Sequence, residues 1–212
     1  MRASSLSVDI DAAANLTYAP PPTAGCLWQG EILSNLLEPL VAARWSTPEG
    51  AETEVQLVAH PYALVMTQSC DLRWDFEGRE TGKVNSQLSS VLFCAAEPAE
   101  ILRSGLPPGS DIWKRVRQNA DERYMVLRAV PAALDRQAEG IPELGLDFKR
   151  YFTLPVLVVY EQLAAQAVRR SVLSELYASH LSARFFSFQA RIGLPVDHHW
   201  QPPAVPVIAA GS

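Results

Sequence analysis

The sequence contains only three cysteines, Cys26, Cys70 and Cys94, among its 212 residues. Their number is odd, their spacing is wide and no Cys-x-x-Cys pair is present, which argues against a disulfide framework and against a structural zinc site. Reduced thiols are typical of the cytoplasm, where disulfides are rare. We therefore expect a cytoplasmic protein that has no structural metal and no other cofactor.

Long apolar runs and an excess of positive charge are also missing. The longest apolar run, residues 154–160, contains a proline and is far shorter than the roughly 20 residues that span a bilayer. Residues 1–24 lack the basic and apolar regions of a signal peptide. Eighteen basic and 23 acidic residues give a net charge of -5, which offers no global attraction to phosphate. These absences predict a soluble protein without a membrane segment, and they leave a local basic face open.

The remaining composition is that of a globular domain. Hydrophobic residues make up 48% of the chain and charged residues 19%, which fits a chain with a packed core rather than a disordered one. The sixteen prolines cluster in the predicted tails and loops. We therefore predict a flexible arm at residues 1–24, a single domain at residues 25–200 and a flexible tail at residues 201–212.

Six short segments have the apolar and β-branched content that is typical of strands. The predicted strands are 30–33, 55–59, 62–69, 90–95, 123–130 and 144–153. Residues 71–87 are polar and contain two glycines, which predicts a loop. Residues 155–172 are ambiguous, with a strand fitting 156–160 and a helix fitting 162–169. The predicted fold class is α+β and mainly β, with a small, strongly bent sheet or barrel closed by a C-terminal amphipathic helix.

The clearest helical pattern lies near the C-terminus. Ser174 is a favourable N-cap and Gly193 a favourable C-terminal stop, so we predict a helix over residues 174–192. One apolar stripe follows the helical period and should dock on the sheet: Tyr177, Leu181, Phe185, Phe188 and Ile192.

A second stripe of the same helix carries His180, Arg184 and Arg191. The two arginines are seven residues apart and so lie two helical turns apart on one face. They either bind RNA phosphates or the carboxylates of a partner, or they form the solvated flank of an amphipathic helix.

The first candidate site is a polar segment that follows the apolar residues 62–66. Side chains at strand ends are often presented to a cleft on a rigid scaffold, so we interpret this segment as a site. Thr67 and Ser69 are candidates for holding a phosphate or an oxyanion. The segment 67–71 consists of Thr67, Gln68, Ser69, Cys70 and Asp71.

Cys70 is alternatively a nucleophile whose thiolate is stabilised by a nearby base. His60 or His180 would supply that base, and Asp71 would orient it. The structural interpretation of the same residues is a buried cysteine beside a turn that Asp71 caps.

Two further segments carry chemistry-bearing residues. Residues 197–200, Asp-His-His-Trp, contain adjacent histidines, but no acidic or cysteine ligand has a suitable spacing. A flexible segment at the end of the domain, with His198 or His199 packed beside Trp200, is therefore favoured over a metal site. In residues 28–31, Gly30 permits a close backbone approach before the first strand. Cys26 and Cys94 are interpreted as small apolar packing residues.

Three pieces of the sequence, taken in order, resemble the MazF/PemK-like toxin family. The family's Gly-Asp/Glu-Ile strand corresponds to residues 30–32, its Arg-Pro with the following apolar strand to residues 60–69, and a further strand to residues 91–94. The resemblance spans residues 27–96. It implies an SH3-like barrel and RNA cleavage, with His60 standing where the family has its catalytic arginine.

A second resemblance links residues 67–72 and 191–195 to a group of bacterial proteins, and it implies no particular activity. The leading hypothesis is a non-catalytic binding module of a bacterial toxin-antitoxin or phage-defence type system, which recognises a protein or a nucleic acid. Its predicted binding residues are Gln68, His180, Arg184 and Arg191. A homodimer is left open.

Two enzymatic hypotheses remain beside the binding module. One is a MazF-like endoribonuclease in which His60 acts as acid or base, with Thr67 or Ser69 at the scissile phosphate. The other is a thiol enzyme that uses Cys70.

Overall fold

The computed structural model describes residues 17–20, 22, 25–43, 53–109 and 111–191. Seven strands and five α-helices lie in these ranges. The strands are β1 Tyr18–Ala19, β2 Glu31–Ala43, β3 Thr53–Val65, β4 Ser90–Pro98, β5 Tyr124–Leu127, β6 Leu144–Pro155 and β7 Val168–Leu173. The helices are α1 Ser69–Thr81, α2 Ala99–Ser104, α3 Ile112–Arg117, α4 Val156–Ala165 and α5 Glu175–Gln189. None of these helices has the length and apolarity needed to cross a membrane.

The seven strands form one antiparallel sheet in the order β1-β7-β2-β3-β4-β6-β5. The predicted α+β class, with its predominance of β structure, is therefore confirmed. Within the described ranges β1 and β5 are the two edges, so the sheet is open and is not closed into a barrel.

The sheet buries apolar side chains on both faces. One core combines α5 with the central strands, and it includes Ile32, Leu64, Phe148, Leu181 and Phe185. The other core lies under α1 and α4, and it includes Leu33, Val65, Leu72, Phe93 and Val159. Fully burying one such side chain contributes about 1.5–3 kcal/mol, so helices on both faces stabilise the sheet.

The loop predicted at residues 71–87 is wrong, because most of this segment belongs to α1. The helix is polar, and a buried carboxylate holds it in place. Asp75 accepts hydrogen bonds from the backbone N–H of Leu88 at 2.7 Å and from Arg79 at 3.0 Å. Arg79 also donates to the carbonyl of Leu88 at 2.7 Å. Because these contacts are polar and tertiary, the spacing of apolar residues in the sequence does not predict this helix.

The predicted division into two strands, 55–59 and 62–69, is also wrong, since β3 runs through residues 60 and 61 as one strand. Proline lacks the N–H that a ladder requires. Pairing between β3 and β4 begins only at Tyr62, opposite Ala96. Pro61 therefore lies just outside the stretch in which β3 has neighbours on both sides, and the strand continues.

In residues 155–172 the strand that fits 156–160 is wrong, and the helix that fits 162–169 is correct only as far as residue 165. The apolar residues 156–159 begin α4, where Val156 and Val159 face the second core. Residues 168–173, which include two arginines, form β7, a strand between β1 and β2. A strand with two arginines is stable there because both guanidinium groups are paired with buried carboxylates.

The predicted C-terminal helix is confirmed as α5, with Ser174 at its N-cap. Leu181, Phe185 and Phe188 are buried as expected. Ile192, Gly193 and the tail at 201–212 lie outside the described residues, as do residues 1–16 of the predicted arm. Tyr18 is buried and pairs with Leu173, so this part of the arm belongs to the sheet.

Candidate functional site

The segment 67–71 lies where β3 ends and α1 begins. β3 ends at Val65, the next residue is buried, and α1 starts at Ser69. The backbone N–H of Met66 donates to the carbonyl of Leu92 at 2.8 Å, which ties the chain to β4 up to this point. The polar residues therefore leave the core at the start of a helix.

A hollow of about 590 Å³ lies beside this turn, and we call it the main hollow. Its apolar walls come from β1 and the residues after it, the loop before β2, β7 and α5: Ala19, Pro20, Pro22, Trp28, Val172, Leu173 and Ala178. Ser69 and Ser179 lie on the wall as well. Glu175 is the only charged residue of the lining among the described residues. The volume of the main hollow falls in the roughly 300–1,000 Å³ range of small-molecule pockets.

Gln29 connects three elements around the main hollow. Its backbone N–H donates to Ser69 Oγ at 3.0 Å. Its side-chain Nε2 donates to the carbonyl of Met66 at 3.0 Å and to Ser182 Oγ at 3.3 Å. One residue, through its backbone N–H and its side-chain amide together, thus connects the end of β3, the start of α1 and the middle of α5.

The loop that carries Gln29 passes close to α5. Gly30 has a φ of 77°, and a Cβ built on it would lie 3.0 Å from the Cβ of Leu173 and 3.1 Å from that of Ala178. The predicted close backbone approach at Gly30 is therefore confirmed.

A buried ion pair between β2 and β7 holds the same loop. Arg169 Nη2 lies 2.9 Å from Glu31 Oε2. The guanidinium also donates to the carbonyls of Gly25 at 3.1 Å and Cys26 at 2.9 Å, while the Trp28 N–H donates to Glu31 Oε2 at 3.0 Å. The position of Trp28 on the hollow thus depends on this pair.

A second buried ion pair joins β7 to the segment that contacts Pro22. Arg170 and Asp135 form two hydrogen bonds of 2.6 Å, and Asp135 also accepts from the backbone N–H groups of Gln137 and Gly140. Burial alone raises the pKa of Asp135, but these hydrogen bonds outweigh it and the net pKa lies below its ordinary value. The next residue, Arg136, donates to the carbonyl of Pro22, which lines the main hollow.

A smaller hollow of about 240 Å³ also borders Trp28. It is lined by Cys26, Trp28, Ser69, Cys70 and Arg73. Cys70 is exposed and Cys26 is half-buried. The segment 67–71 therefore contributes Ser69 to both hollows and Cys70 to the smaller one.

Cys70 has no imidazole as a hydrogen-bonding partner in the described structure. Its Sγ lies 3.6 Å from Gln68 Oε1 and 3.9 Å from Asp71 Oδ1. A carboxylate at that distance does not stabilise a thiolate, because both carry negative charge. Arg73 is the one cation of the smaller hollow among the described residues.

The side chains of Thr67 and His60 make contacts within the sheet and line neither hollow. The Thr67 hydroxyl accepts a hydrogen bond from the backbone N–H of Leu92 at 2.8 Å. The His60 ring stacks on Phe152, with centroids 4.2 Å apart and planes at 9°, and its Nε2 lies 2.9 Å from Glu38 Oε2. His60 lines neither hollow, so it is not brought together with Cys70 or Ser69.

The arginines predicted on one face of the C-terminal helix do not present free cations, and Arg191 lies two residues beyond the end of α5. Arg184 is half-buried and donates to Asn119 Oδ1 and to the Tyr124 carbonyl, both at 3.1 Å; burial lowers the pKa of its guanidinium. The Arg191 guanidinium lies 3.8 Å above the Phe188 ring, and its Nε donates to the Phe188 carbonyl. His180 is exposed but lies on neither hollow.

No group of three or more potential metal ligands is assembled by the described residues. The histidines at 198 and 199 lie outside them.

The sequence alone does not assign Trp28 or Ser174 to a site. It places Trp28 only before the first strand and predicts Ser174 only as a helix cap. The pairing of β1 and β2 with β7 brings both residues to one hollow, and no local sequence pattern predicts that pairing.

No protein-family model, curated protein or solved structure matches this chain.

Proposed function

We propose that the chain is a non-catalytic recognition module that binds a protein partner at the main hollow. The supporting observation is the chemistry of the lining, in which apolar walls surround a few serine and glutamine groups and one carboxylate, Glu175. Such a site suits an apolar side chain of the partner, with a basic residue next to it. Trp28, which is 47% exposed, is of the residue type that most often dominates protein interfaces.

The same lining argues for a protein rather than a nucleic acid as the partner. Nucleic-acid binding draws its affinity from Lys and Arg on phosphates. No Lys or Arg is among the described residues that line the main hollow. Arg184 and Arg191, the predicted phosphate ligands, are already engaged within the protein.

The endoribonuclease alternative has less support. His60 packs between Phe152 and Glu38, and the Thr67 hydroxyl is used by the backbone of β4. The toxin-antitoxin or phage-defence setting, the SH3-like relationship and the MazF-like activity rest on the sequence resemblance alone, and they remain predictions.

Thiol chemistry at Cys70 is the second candidate function, because one observation favours it. Cys70 is exposed, lies in the first turn of α1 and shares the smaller hollow with Arg73. Cysteines near helix N-termini and cations are the ones that become activated. The neighbouring Asp71 carboxylate opposes this effect, so we rank binding first.

A random peptide library displayed on phage tests the proposal with the purified protein. We expect the enriched peptides to share an aromatic or branched apolar residue next to Lys or Arg. A parallel incubation with RNA should leave the RNA intact. Enrichment without any apolar consensus, or cleavage of the RNA that His60→Ala abolishes, would contradict the proposed function.

A further inference from the structure

Two of the three cysteines border the same hollow. The smaller hollow is lined by Cys26 and Cys70, together with Trp28, Ser69 and Arg73. Cys26 lies in the loop before β2 and Cys70 in the first turn of α1, so the fold brings together two thiols that are distant in the sequence. In reducing compartments a disulfide between such thiols is usually transient and redox-active rather than structural.

Hydrogen bonds hold the two thiol-bearing segments side by side. The backbone N–H of Gln29 donates at 3.0 Å to the Oγ of Ser69, the residue before Cys70. Gln29 comes three residues after Cys26, and three residues span at most about 11 Å of chain. At the other end of this loop, Arg169 Nη2 donates to the Cys26 carbonyl at 2.9 Å. The folded chain therefore keeps Cys26 close to the start of α1.

The two thiols differ in exposure, which gives them different roles. Cys70 is exposed, whereas Cys26 is half-buried. Burial raises the pKa of Cys26, although the positive charges of Arg169 and, more weakly, Arg73 act in the opposite direction. Arg73 lies one helical turn after Cys70 on the same face of α1, so its charge acts near both thiols. A reagent from solvent meets Cys70 first, and Cys26 lies behind it.

We propose that Cys70 and Cys26 form a thiol–disulfide exchange pair whose substrate is a small disulfide such as oxidised glutathione. The Cys70 thiol loses its proton to water, and its thiolate attacks one sulfur of the reagent. The S–S bond breaks, and one glutathione leaves as a thiolate and takes up a proton. The Cys26 thiolate then attacks the Cys70 sulfur and expels the second glutathione. Two protein thiols are oxidised to one disulfide, and the reagent is reduced to two thiols.

The smaller hollow has the size and charge for such a reagent. Its volume of about 240 Å³ lies below the range of small-molecule pockets, so it receives the sulfur end of the reagent rather than the whole tripeptide. The Arg73 guanidinium is able to pair with a glutathione carboxylate outside the hollow.

Proximity of the second thiol, rather than activation of the first, carries the reaction. The Asp71 carboxylate lies 3.9 Å from Cys70 Sγ and disfavours the thiolate, so Cys70 needs no unusual reactivity. Once Cys70 holds glutathione, Cys26 attacks within the same molecule, which gives it an advantage over free thiols in solution. The inference goes beyond the proposed binding function and does not rest on it.

Incubation of the full chain with excess oxidised glutathione tests the proposal, with alkylation of the remaining thiols and peptide mass spectrometry as the readout. We expect the wild type to form a Cys26–Cys70 disulfide. Cys26→Ser should instead accumulate glutathione on Cys70, and Cys70→Ser should lose the disulfide. The matched control is Cys94→Ser, which alters a buried thiol and should leave the disulfide unchanged. Circular dichroism checks that each variant remains folded.

A titration with mixtures of reduced and oxidised glutathione shows whether the fold itself creates the pair. We expect the disulfide to form at a proportion of oxidised glutathione at least about tenfold lower in native buffer than in concentrated urea, because unfolding separates the two thiols. Equal midpoints in the two conditions would overturn the proposal.

The remaining outcomes also decide the matter. A wild type that retains glutathione on Cys70 as fully as Cys26→Ser does, or whose native thiols do not react at all, overturns the proposal. A disulfide that involves Cys94 or joins two chains does the same. Peptide binding at the main hollow is measured separately, so failure of the binding function and failure of the exchange pair are distinguishable.

Discussion

Arg169 and Glu31 form a buried ion pair that joins β7 to β2 and also holds the loop next to the main hollow. The arginine donates to the carbonyls of Gly25 and Cys26, and the carboxylate accepts from the N–H of Trp28. The geometry of the candidate site is thus linked to a contact between two strands of the sheet.

Glu31→Gln should therefore be strongly destabilising. The substitution leaves the Arg169 guanidinium buried without its counter-charge, which typically costs about 3–5 kcal/mol. Urea denaturation measures the change in the free energy of unfolding. Glu143→Gln, which removes the exposed pair with Arg117, is the control and should cost no more than about 1 kcal/mol. Equal effects of the two substitutions would show that the Arg169 pair does not hold the sheet.

Acid should destabilise the protein through Asp135 and Asp147. In both, hydrogen bonds from an arginine and from backbone amides outweigh burial and lower the pKa. A carboxyl whose pKa is lower in the folded state stabilises the fold above its unfolded pKa of about 3.9, and this contribution is lost as the pH falls through the folded pKa.

The measurement is the urea midpoint of unfolding at a series of pH values below about 5. The wild type should lose stability steadily as the pH falls. Asp135→Asn, although less stable at neutral pH because Arg170 loses its partner, should show a shallower decline. A decline as steep as that of the wild type would mean that Asp135 titrates alike in the folded and unfolded chains.

The three cysteines should react in an order set by their burial. Cys70 is exposed, Cys26 half-buried and Cys94 buried. Burial, with a smaller contribution from the Asp147 carboxylate, raises the pKa of Cys94 to about 12. Iodoacetamide labelling followed by mass spectrometry should modify Cys70 first, Cys26 more slowly, and Cys94 only after unfolding.

The rate at Cys70 also separates the two candidate functions. In a binding module, Cys70 should react no faster than a free thiol at neutral pH, and Asp71→Asn is the control for the effect of the adjacent carboxylate. A much faster rate, lost in Arg73→Met, would favour thiol chemistry.

Gly78→Ala should destabilise α1, although alanine is the better helix former. In a helix interior the exchange usually stabilises by roughly 0.5–1 kcal/mol. Here the added Cβ would lie 2.1 Å from Ser86 Oγ and 3.0 Å from the Lys83 carbonyl. We expect a loss of about 1–3 kcal/mol in thermal or urea unfolding. Introducing the exchange into a Ser86→Gly background should reduce the loss; a stabilised Gly78→Ala protein would refute the close contact.

Local sequence patterns predict the elements whose own residues determine them. The helix α5 follows from a cap at Ser174 and an apolar stripe through Leu181 and Phe185. The strands near residues 90–95, 123–130 and 144–153 follow from their apolar content, and β4, β5 and β6 lie there. In these segments local preference and tertiary packing agree.

Elements that depend on distant partners escape such patterns. α1 is polar and is fixed by the clamp of Asp75 and Arg79 on Leu88. β7 carries two arginines whose partners, Glu31 and Asp135, are distant in sequence. A sequence pattern shows the charges but not their pairing.

The candidate site is predictable only in part for the same reason. Polar residues that follow an apolar strand indicate the segment 67–71, and Ser69 and Cys70 do border hollows. The place of His60 in the sequence suggests a role in the site, but its ring packs on Phe152. Trp28 joins the site through strand pairing alone.

Filling the main hollow tests the proposed recognition function most directly. Ser179→Tyr places a large side chain into the hollow, and Ser187→Tyr makes the same change at an exposed position of α5 that does not line it. The measurement is the dissociation constant of the strongest peptide selected on the wild type. We predict that Ser179→Tyr weakens binding at least about tenfold, or about 1.4 kcal/mol, while Ser187→Tyr leaves it unchanged. Equal affinity for both variants would contradict the assignment of the hollow as the binding site.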